Sequence, residues 1–309
     1  MSKVRGTSLE AAIDQGVVVL DGGLATQLEA QGHDLSDQLW SARLLADAPE
    51  AVVDAHLAFF RAGAQVVTTA SYQATFEGFA AHGLTAEQTA ELLRRSVTLA
   101  ATARERRHDE GDGRPLWIAA SVGPYGAMLA DGSEYRGRYG QSVAELTRFH
   151  RPRLEVLAEA GADVLALETV PDIDEAAALM AAIDGLGKPA WLSYTIEGDR
   201  TRAGQPLDEA FSVPRGNDAI IAVGINCSAP TDITGAVRLA HDLTGKPVIA
   251  YPNSGEGWDA VARSWTGTSH HTFAPERIHA WLSGGARLVG GCCRVGPADI
   301  AALTDLIPR

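Results

Sequence analysis

One alternation runs through the whole sequence: a short apolar, mostly β-branched run is followed by a longer amphipathic stretch, eight times in 309 residues. Apolar runs with no polar face are typical of parallel strands covered on both sides. The alternation therefore predicts βα units that share one sheet. The predicted strands are Val17–Gly23, Ala64–Ser71, Leu116–Gly123, Ala162–Val170, Pro189–Ile196, Ala219–Ser228, Pro247–Ser254 and Ala286–Cys293.

The stretches between these runs have the apolar spacing of helices. Thr231 is a candidate N-cap, Pro297 suits a first helical turn, and Gly63 suits a C-cap. The predicted helices are Pro49–Ala62, Ala86–Arg107, Ser142–Ala160, Asp174–Gly185, Asp232–Thr244, Pro275–Ser283 and Pro297–Leu306.

Eight βα units in a chain of this length predict an α/β fold, a (β/α)8 TIM barrel that forms a single domain over residues 1–309. A doubly wound open sheet is the alternative. The segment Asp21–Leu24 after the first strand does not fit the G-x-G-x-x-G pattern of such a sheet. The Gly-rich, aromatic segments Tyr125–Tyr139 and Asn253–Thr272 are predicted to be loops over the barrel mouth.

Charge and cysteine content limit the partners and the compartment. A net charge of -13 would repel nucleic acid and anionic membranes. No apolar run reaches the roughly 18 residues of a membrane span, and Met1–Glu10 is too polar for a secretory signal. Three cysteines are a poor disulfide framework. We expect a cytoplasmic protein that binds neither nucleic acid nor membranes, and a monomer because no extra hydrophobic element is left over.

Polar and thiol groups occur where the predicted strands end, which is where barrel enzymes place their active sites. All three cysteines lie there: Cys227 after the sixth strand, and Cys292 and Cys293 after the eighth. Three thiolates with one open position describe a catalytic zinc site, whereas structural sites have four protein ligands. For the adjacent cysteines to share a metal the chain must kink, and Gly290-Gly291 would supply that freedom. Buried structural cysteines or a vicinal disulfide are the alternatives.

A zinc ion already bound to three thiolates activates water weakly but can bind and deprotonate a fourth thiol. The pattern therefore favours a thiol substrate that reacts as a nucleophile.

Further candidates are substrate-binding residues. Asp21 and Glu168 could bind an ammonium group, although Asp21 could instead cap its Gly-Gly turn and Glu168 could be a buried ion-pair partner. Asn226 ends the same strand as Cys227. Trp40 and Tyr72 could hold a cationic methyl donor against their rings, or pack in the core. Weaker candidates of the same kind are Tyr125, Tyr135 and Trp258. The histidines His33, His56, His82, His150, His270 and His271 are interpreted as surface or structural groups.

Several longer stretches resemble the homocysteine S-methyltransferase family, in the family's order and over nearly the whole chain. GINC together with GGCC is the most specific pair. The matching stretches are Asp21–Gly32, Leu39–Leu45, Thr68–Thr75, Ser121–Gly140, Leu165–Asp172, Gly224–Pro230, Tyr251–Asp259 and Gly290–Pro297.

The resemblance implies a zinc-dependent barrel with Cys227, Cys292 and Cys293 as metal ligands, and with Asp21 and Glu168 at the homocysteine amino group. The chain is most similar to members that use S-methylmethionine, and often S-adenosylmethionine, as the methyl donor. Selenocysteine or another small thiol as the acceptor, and a non-catalytic zinc-binding or redox-sensing barrel, remain as alternatives.

Overall fold

Eight parallel strands close into a barrel in this computed structural model, which describes residues 7–35, 41–259, 264–266 and 272–308. Each strand pairs with its neighbours in the chain, and a bridge between Leu20 and Val66 joins the first strand to the second. The predicted (β/α)8 barrel is confirmed. The strands are β1 Val18–Val19, β2 Val66–Thr68, β3 Trp117–Val122, β4 Val164–Val170, β5 Ala190–Tyr194, β6 Ile220–Asn226, β7 Val248–Tyr251 and β8 Ala286–Val289.

Helices surround this sheet, and short elements lie above its carboxyl end. The helices are α1 Leu9–Gln15, α2 Leu24–Ala30, α3 Ser41–Asp47, α4 Pro49–Ala62, α5 Phe76–Ala80, α6 Ala86–Asp109, α7 Tyr125–Leu129, α8 Val143–Glu159, α9 Ile173–Ile183, α10 Leu207–Ser212, α11 Ile233–Thr244, α12 Pro275–Ser283 and α13 Pro297–Leu306. A 3-10 turn spans Ser133–Tyr135, and two hairpins pair Ile196–Glu197 with Arg200–Thr201 and Gly257–Asp259 with Ser264–Thr266. Within these ranges no helix is long and apolar enough to cross a bilayer.

Alternate strand residues divide the core into two layers, because successive side chains of a strand point to opposite faces. One set packs under the helices, and the other fills the barrel interior with large apolar groups such as Trp117, Trp191 and Leu288. Leu9 and Ile13 of α1 join the interior set and close its amino end, where Trp117 Nε1 donates to the carbonyl of Thr7 at 3.1 Å. Sequence analysis missed α1 because only two of its side chains are buried.

Helix ends agree with prediction where proline or glycine marks them. The bounds of α4, α12 and α13 are those predicted, and Gly63 ends α4 with a left-handed φ of 114°. The predicted N-cap Thr231 is wrong: Asp232 is the N-cap of α11, and its side chain makes no capping bond. Asp232 instead accepts from the N–H of Gly198, which ties the turn of the first hairpin to the helix.

Seven of the eight predicted strands extend past the observed ones at the barrel mouth, since an apolar run does not show where ladder hydrogen bonds stop; β4 ends at Val170 as predicted. Strand β8 ends at Val289, so both adjacent cysteines lie in the turn that follows it. Gly291 does not have the positive φ of a kink. A Cβ there would lie 2.2 Å from Cγ1 of Val295. The glycine is therefore needed for close packing and not, as predicted, for an unusual backbone angle.

Candidate active site

The three cysteine sulfurs meet at the carboxyl end of the barrel. All of them lie within 4.8 Å of one another, and the sulfurs of Cys227 and Cys293 are 3.5 Å apart. Cys227 is buried, Cys292 and Cys293 are partly exposed, and all three are free thiols. The alternative of a vicinal disulfide does not describe this arrangement. We call these three residues the thiol cluster.

Unusual backbone conformations aim the cysteines at one point. Cys227 has a φ of 50° directly after β6, and Arg294 has a φ of 65° directly after Cys293. A non-glycine residue in this region costs about 1–2 kcal/mol. Backbone bonds from the seventh βα loop hold the turn: Cys292 N–H donates to Pro252 at 2.8 Å, and Ser254 N–H donates to Cys293 at 3.1 Å. Local strain is thus retained at the point where the sulfurs converge.

The thiol cluster cannot ionise as three independent groups. Hydrogen bonding to Cys227 and Cys293, together with desolvation, raises the pKa of the Cys292 thiol well above its ordinary value. Hydrogen bonding with Cys227 and Cys292 lowers the pKa of Cys293. One thiolate is therefore favoured among the three, and further ionisation requires a cation between the sulfurs.

Asp21 is a buried carboxylate at the end of β1. The N–H and hydroxyl of Thr68 donate to its two oxygens, each at 2.7 Å. Burial raises the pKa of Asp21 to about 8, and the charge of Glu168 contributes. Its bonds tie the carboxylate to β2 and not to the Gly22-Gly23 turn that it was predicted to cap in the alternative interpretation.

Glu168 is the second buried carboxylate, on β4. It accepts a hydrogen bond from the Ser121 hydroxyl and another, at 3.0 Å, from the Tyr251 hydroxyl. Burial raises the pKa of Glu168 to about 7, and the nearby Cys227 contributes. Because both partners are hydroxyl groups, the alternative of an ion-pair partner does not fit. Asp21 and Glu168 form what we call the carboxylate pair.

A buried polar network around Asn226 links the carboxylate pair to the thiol cluster. Its amide oxygen accepts from the N–H of Thr169 at 2.7 Å and from the Ser193 hydroxyl at 2.9 Å. Its amide nitrogen donates to the hydroxyl of Thr169 at 2.7 Å. Thr169 has a φ of 59° and directly follows Glu168. Asn226 therefore holds the strained end of β4, while its own backbone leads into Cys227.

A 3-10 turn, Ser133–Tyr135, packs over this end of the barrel. The hydroxyl of Tyr135 lies 3.1 Å from the sulfur of Cys227. The side chain of Glu134 is buried, and burial followed by the influence of Cys227 raises its pKa to about 7. The turn therefore brings one aromatic hydroxyl and one carboxylate toward the thiol cluster.

Three buried or partly buried groups hold the loop that carries this turn. Arg153 donates to the carbonyl of Gly123, and the N–H of Tyr125 donates to Glu175 at 2.6 Å. Asp172 accepts from the N–H of Arg138 at 2.9 Å. Both ends of the loop are thus fixed to α8 and to the segment that begins α9.

Comparisons with known proteins agree with this geometry. A family model described as homocysteine S-methyltransferase matches residues 18–307. The homocysteine S-methyltransferase of Escherichia coli K12 is 47% identical over 300 residues, covering 96% of this chain and 97% of that protein. The chain belongs to the homocysteine S-methyltransferase family. The family and the enzyme class predicted from the sequence are therefore confirmed.

Two further relatives of the family extend the comparison. The crystal structure of the homocysteine methyltransferase MmuM from Escherichia coli, in its metallated form, superposes with a TM-score of 0.87 at 44% identity, covering 96% of this chain and 99% of that one. A selenocysteine Se-methyltransferase from Brassica oleracea var. italica is 42% identical over 305 residues, covering 93% of this chain and 88% of that protein.

The aromatic candidates have different outcomes. Tyr72 is half-buried, and its ring packs on Gly123, where a Cβ would lie 2.7 Å from the ring. Burial raises the pKa of Tyr72, and the charges of Glu134 and Cys227 contribute, so this side chain lies at the site. Trp40 lies outside the described residues.

Among the described histidines, the two buried ones agree with the structural interpretation. Burial lowers the pKa of His56 to about 4, and His150 Nε2 lies 2.9 Å from Glu175, in the network that fixes the loop.

Sequence reasoning missed Glu134 altogether. It lies within Ser121–Gly140, a stretch that resembles the family and whose aromatic residues alone are candidates, and in a segment predicted to be a mouth loop. The spacing of apolar residues does not reveal that a polar residue of a loop will be buried. A carboxylate inside a Gly-rich, aromatic segment was the one available indication.

Proposed function

We propose that this protein transfers a methyl group from a sulfonium donor, S-methylmethionine or S-adenosylmethionine, to the sulfur of L-homocysteine, with the thiol cluster holding Zn²⁺. The observation that carries the proposal is the convergence of three free thiols near two buried carboxylates. A thiol amino acid offers one group to each: its sulfur to the metal and its ammonium to the carboxylates.

The thiol cluster suits a tetrahedral zinc site. Zinc–sulfur bonds of about 2.3 Å place two sulfurs of a tetrahedron roughly 3.8 Å apart, and the observed sulfurs lie 3.5 Å apart in one pair and within 4.8 Å in all pairs. Thiolates are soft ligands that select zinc over hard cations. Bound by Cys227, Cys292 and Cys293, zinc would have one open position and would favour the thiolate form of a substrate thiol there.

The carboxylate pair would bind the ammonium group of homocysteine. Burial makes the ionised forms of Asp21 and Glu168 costly until a cation is present. Thr68, Ser121 and Tyr251 already hold the carboxylates in place, so little conformational order has to be created when the substrate binds.

Methyl transfer at this site needs no general acid. The homocysteine thiol loses its proton to solvent, the bond between the sulfonium sulfur and its methyl carbon breaks, and a bond between the homocysteine sulfur and that carbon forms. The leaving group is a neutral thioether. Because a thiolate and a sulfonium neutralise each other along the reaction, a site that excludes water favours the transition state.

The residues around the thiol cluster would set the alignment of the two substrates. The Tyr135 hydroxyl would donate a hydrogen bond to the Cys227 sulfur and withdraw part of its charge. The ring of Tyr72 offers an aromatic face to a cationic donor. Holding the two sulfur atoms in line with the methyl carbon is worth roughly 7–11 kcal/mol in favourable cases.

The test is methionine formation by purified protein from homocysteine and S-methylmethionine, before and after removal of metal with a chelator. We expect methionine that disappears on chelation and returns with added zinc. Protein that contains metal but forms no methionine with any sulfonium donor would contradict the proposed reaction. Activity that survives complete removal of metal would contradict the role of the thiol cluster.

A second acceptor is supported by a specific observation, the likeness to a selenocysteine Se-methyltransferase over 93% of this chain. A selenol is acidic and nucleophilic, so the same site would accept it. Homocysteine and selenocysteine competing in one reaction would rank the two acceptors by kcat/KM.

A further inference from the structure

Glu134 carries a buried acceptor that no group of the described residues satisfies. The side chain is 2% exposed, and its Oε2 atom has no hydrogen-bond partner within the described ranges. A carboxylate oxygen that has lost water without gaining a donor is strongly destabilising. Such a group indicates a partner that is bound during function.

Glu134 lies at the proposed reaction site. Its charge raises the pKa of Tyr72 and opposes the ionisation of Cys293, while Cys227 in turn raises the pKa of Glu134. The carboxylate is therefore close enough to Tyr72 and to the cysteines of two strand ends to influence their ionisation. Its neighbour in the same turn, Tyr135, reaches the sulfur of Cys227 at 3.1 Å.

Two arginines near the turn, Arg136 and Arg202, have other partners among the described residues. Arg136 is largely exposed, donates to the Ser133 hydroxyl at 2.6 Å and lies 3.8 Å from Asp131. Arg202 donates to the carbonyl of Tyr135 at 3.2 Å and lies over its ring at 5.9 Å. Glu134 is therefore not the acidic half of a structural ion pair with either arginine.

The turn is also packed too tightly for Glu134 to swing out easily. A Cβ on Gly126 would lie 2.5 Å from the backbone nitrogen of Glu134, so the turn is in direct backbone contact with α7. The loop that carries the turn is fixed at both ends by Glu175 and Asp172. The backbone that carries the carboxylate is therefore fixed before any substrate binds.

We propose that Glu134 binds the ammonium group of the methyl donor. This inference rests on the proposed function, in which the donor is a sulfonium amino acid such as S-methylmethionine. A sulfonium centre offers only C–H groups and would leave Oε2 unpaired, whereas an ammonium group donates N–H bonds to it. Homocysteine's ammonium has its own acceptors, Asp21 and Glu168. The donor brings a second ammonium, and Glu134 is a further buried carboxylate beside the cysteines in the described part of the chain.

The experiment is a double-mutant cycle in which one change is made in the protein and the other in the methyl donor. One arm replaces Glu134 by Gln, and the other replaces S-methylmethionine by its des-amino analogue, (3-carboxypropyl)dimethylsulfonium. E134Q should lower kcat/KM for S-methylmethionine roughly 10- to 100-fold, the range for one charge-assisted hydrogen bond. Removing the amino group should cost the wild type as much and E134Q little, because the two changes remove the same contact.

Controls separate binding from folding. Glu155→Gln removes a carboxylate from the exposed surface of α8, where it pairs with Arg151, and should leave all constants unchanged. Glu134→Asp keeps the charge but shortens the side chain, and should lie between the wild type and E134Q. S-methylmethionine binding by calorimetry to chelator-treated protein should weaken by the same factor in E134Q, without any turnover.

Two results would overturn the inference while leaving the proposed function intact. In one, the wild type uses S-methylmethionine and its des-amino analogue equally well. This result does not depend on whether any variant folds. In the other, E134Q raises the KM for homocysteine and not for the donor, which would place Glu134 at the acceptor amino group. A wild type that neither binds nor uses a sulfonium donor would instead remove the proposed function, and this inference with it.

Discussion

The thiol cluster and the carboxylate pair occupy the same barrel mouth but are stabilised in opposite ways. The cysteines have mainly one another and Tyr135 as partners, and they lie on backbone with positive φ at Cys227 and Arg294. The carboxylates lie at strand ends and accept bonds from Thr68, Ser121 and Tyr251. The difference predicts that the thiol cluster would be stabilised by a bound cation, whereas the protein alone organises the carboxylate pair.

Cys227→Ser breaks the thiol cluster and should have the largest effect. A hydroxyl is a poor zinc ligand, and loss of the metal removes several kcal/mol of stabilisation, so we expect kcat/KM to fall roughly 10³-fold or more. Metal content per chain and methionine formation measure the change. The affinity of the carboxylate pair for methionine should change by less than about twofold, because the substitution removes no hydrogen bond of the pair. Loss of even one such bond would weaken binding by more than this. A variant that keeps its metal and its turnover would remove Cys227 from the ligand set.

Asp21→Asn tests the other half of the comparison. An amide keeps the shape and can still pair with Thr68, so the loss is one charge. We expect the KM for homocysteine to rise roughly 10- to 100-fold with unchanged metal content and donor KM. Asp163→Asn is the matched control, because Asp163 lies at the opposite end of the barrel and bonds to Arg104 and to the N–H of Ile118. Equal effects of Asp21→Asn on both substrates would mean that it shapes the site without binding the ammonium.

In chelator-treated protein, the pH dependence of methionine binding should report the carboxylate pair separately from the thiol cluster. Methionine has the ammonium but no thiol, so its binding reports the carboxylates. Because the pKa values of Glu168 and Asp21 are raised to about 7 and about 8, both must lose protons, and binding should tighten as pH rises from about 6 to about 8. Asp21→Asn should remove the upper part of this dependence. A flat profile in calorimetry would show that the carboxylates are already ionised.

The free energy of unfolding of the unliganded protein should fall as pH rises, whereas the affinity for methionine should increase. A raised pKa means that the folded state holds protons that the unfolded chain has already released above pH 3.8. Stability from Asp21 is therefore lost as pH rises through about 8. Asp21→Asn should flatten this decline in thermal unfolding, and an unchanged decline would assign it to other groups.

Tyr251→Phe should have the smallest effect. It removes the hydroxyl that donates to Glu168 and also contacts Ser193 and Trp191. The expected rise in the KM for homocysteine is about 2- to 10-fold, because the hydroxyl positions the carboxylate and does not itself contact the ammonium. Tyr194→Phe is the matched control, since that buried hydroxyl donates to the carbonyl of Ala210 of α10 and its side chain packs in the layer under the helices. A similar rise in both variants would show a general packing effect.

By itself, the sequence determined the barrel and the composition of the thiol cluster. Eight apolar runs separated by amphipathic stretches leave few ways to cover a parallel sheet, and residues at the carboxyl ends of its strands must meet. This reasoning placed Cys227, Cys292 and Cys293 together although Cys292 follows Cys227 by 65 positions. It also placed Asp21 and Glu168 at the same mouth.

Tertiary structure decided how each of these groups is held. Apolar runs do not show where strand ladders end, so the turn after Val289 and the left-handed conformation of Cys227 were not predictable. Nor could spacing show that Thr68 and Tyr251 partner the carboxylates, because these contacts join strands distant in sequence. Burial of Glu134 follows from loop packing against Gly126. The physical reason is common to all three: patterns report which face of an element is apolar, whereas hydrogen bonds and backbone strain depend on what lies opposite it in space.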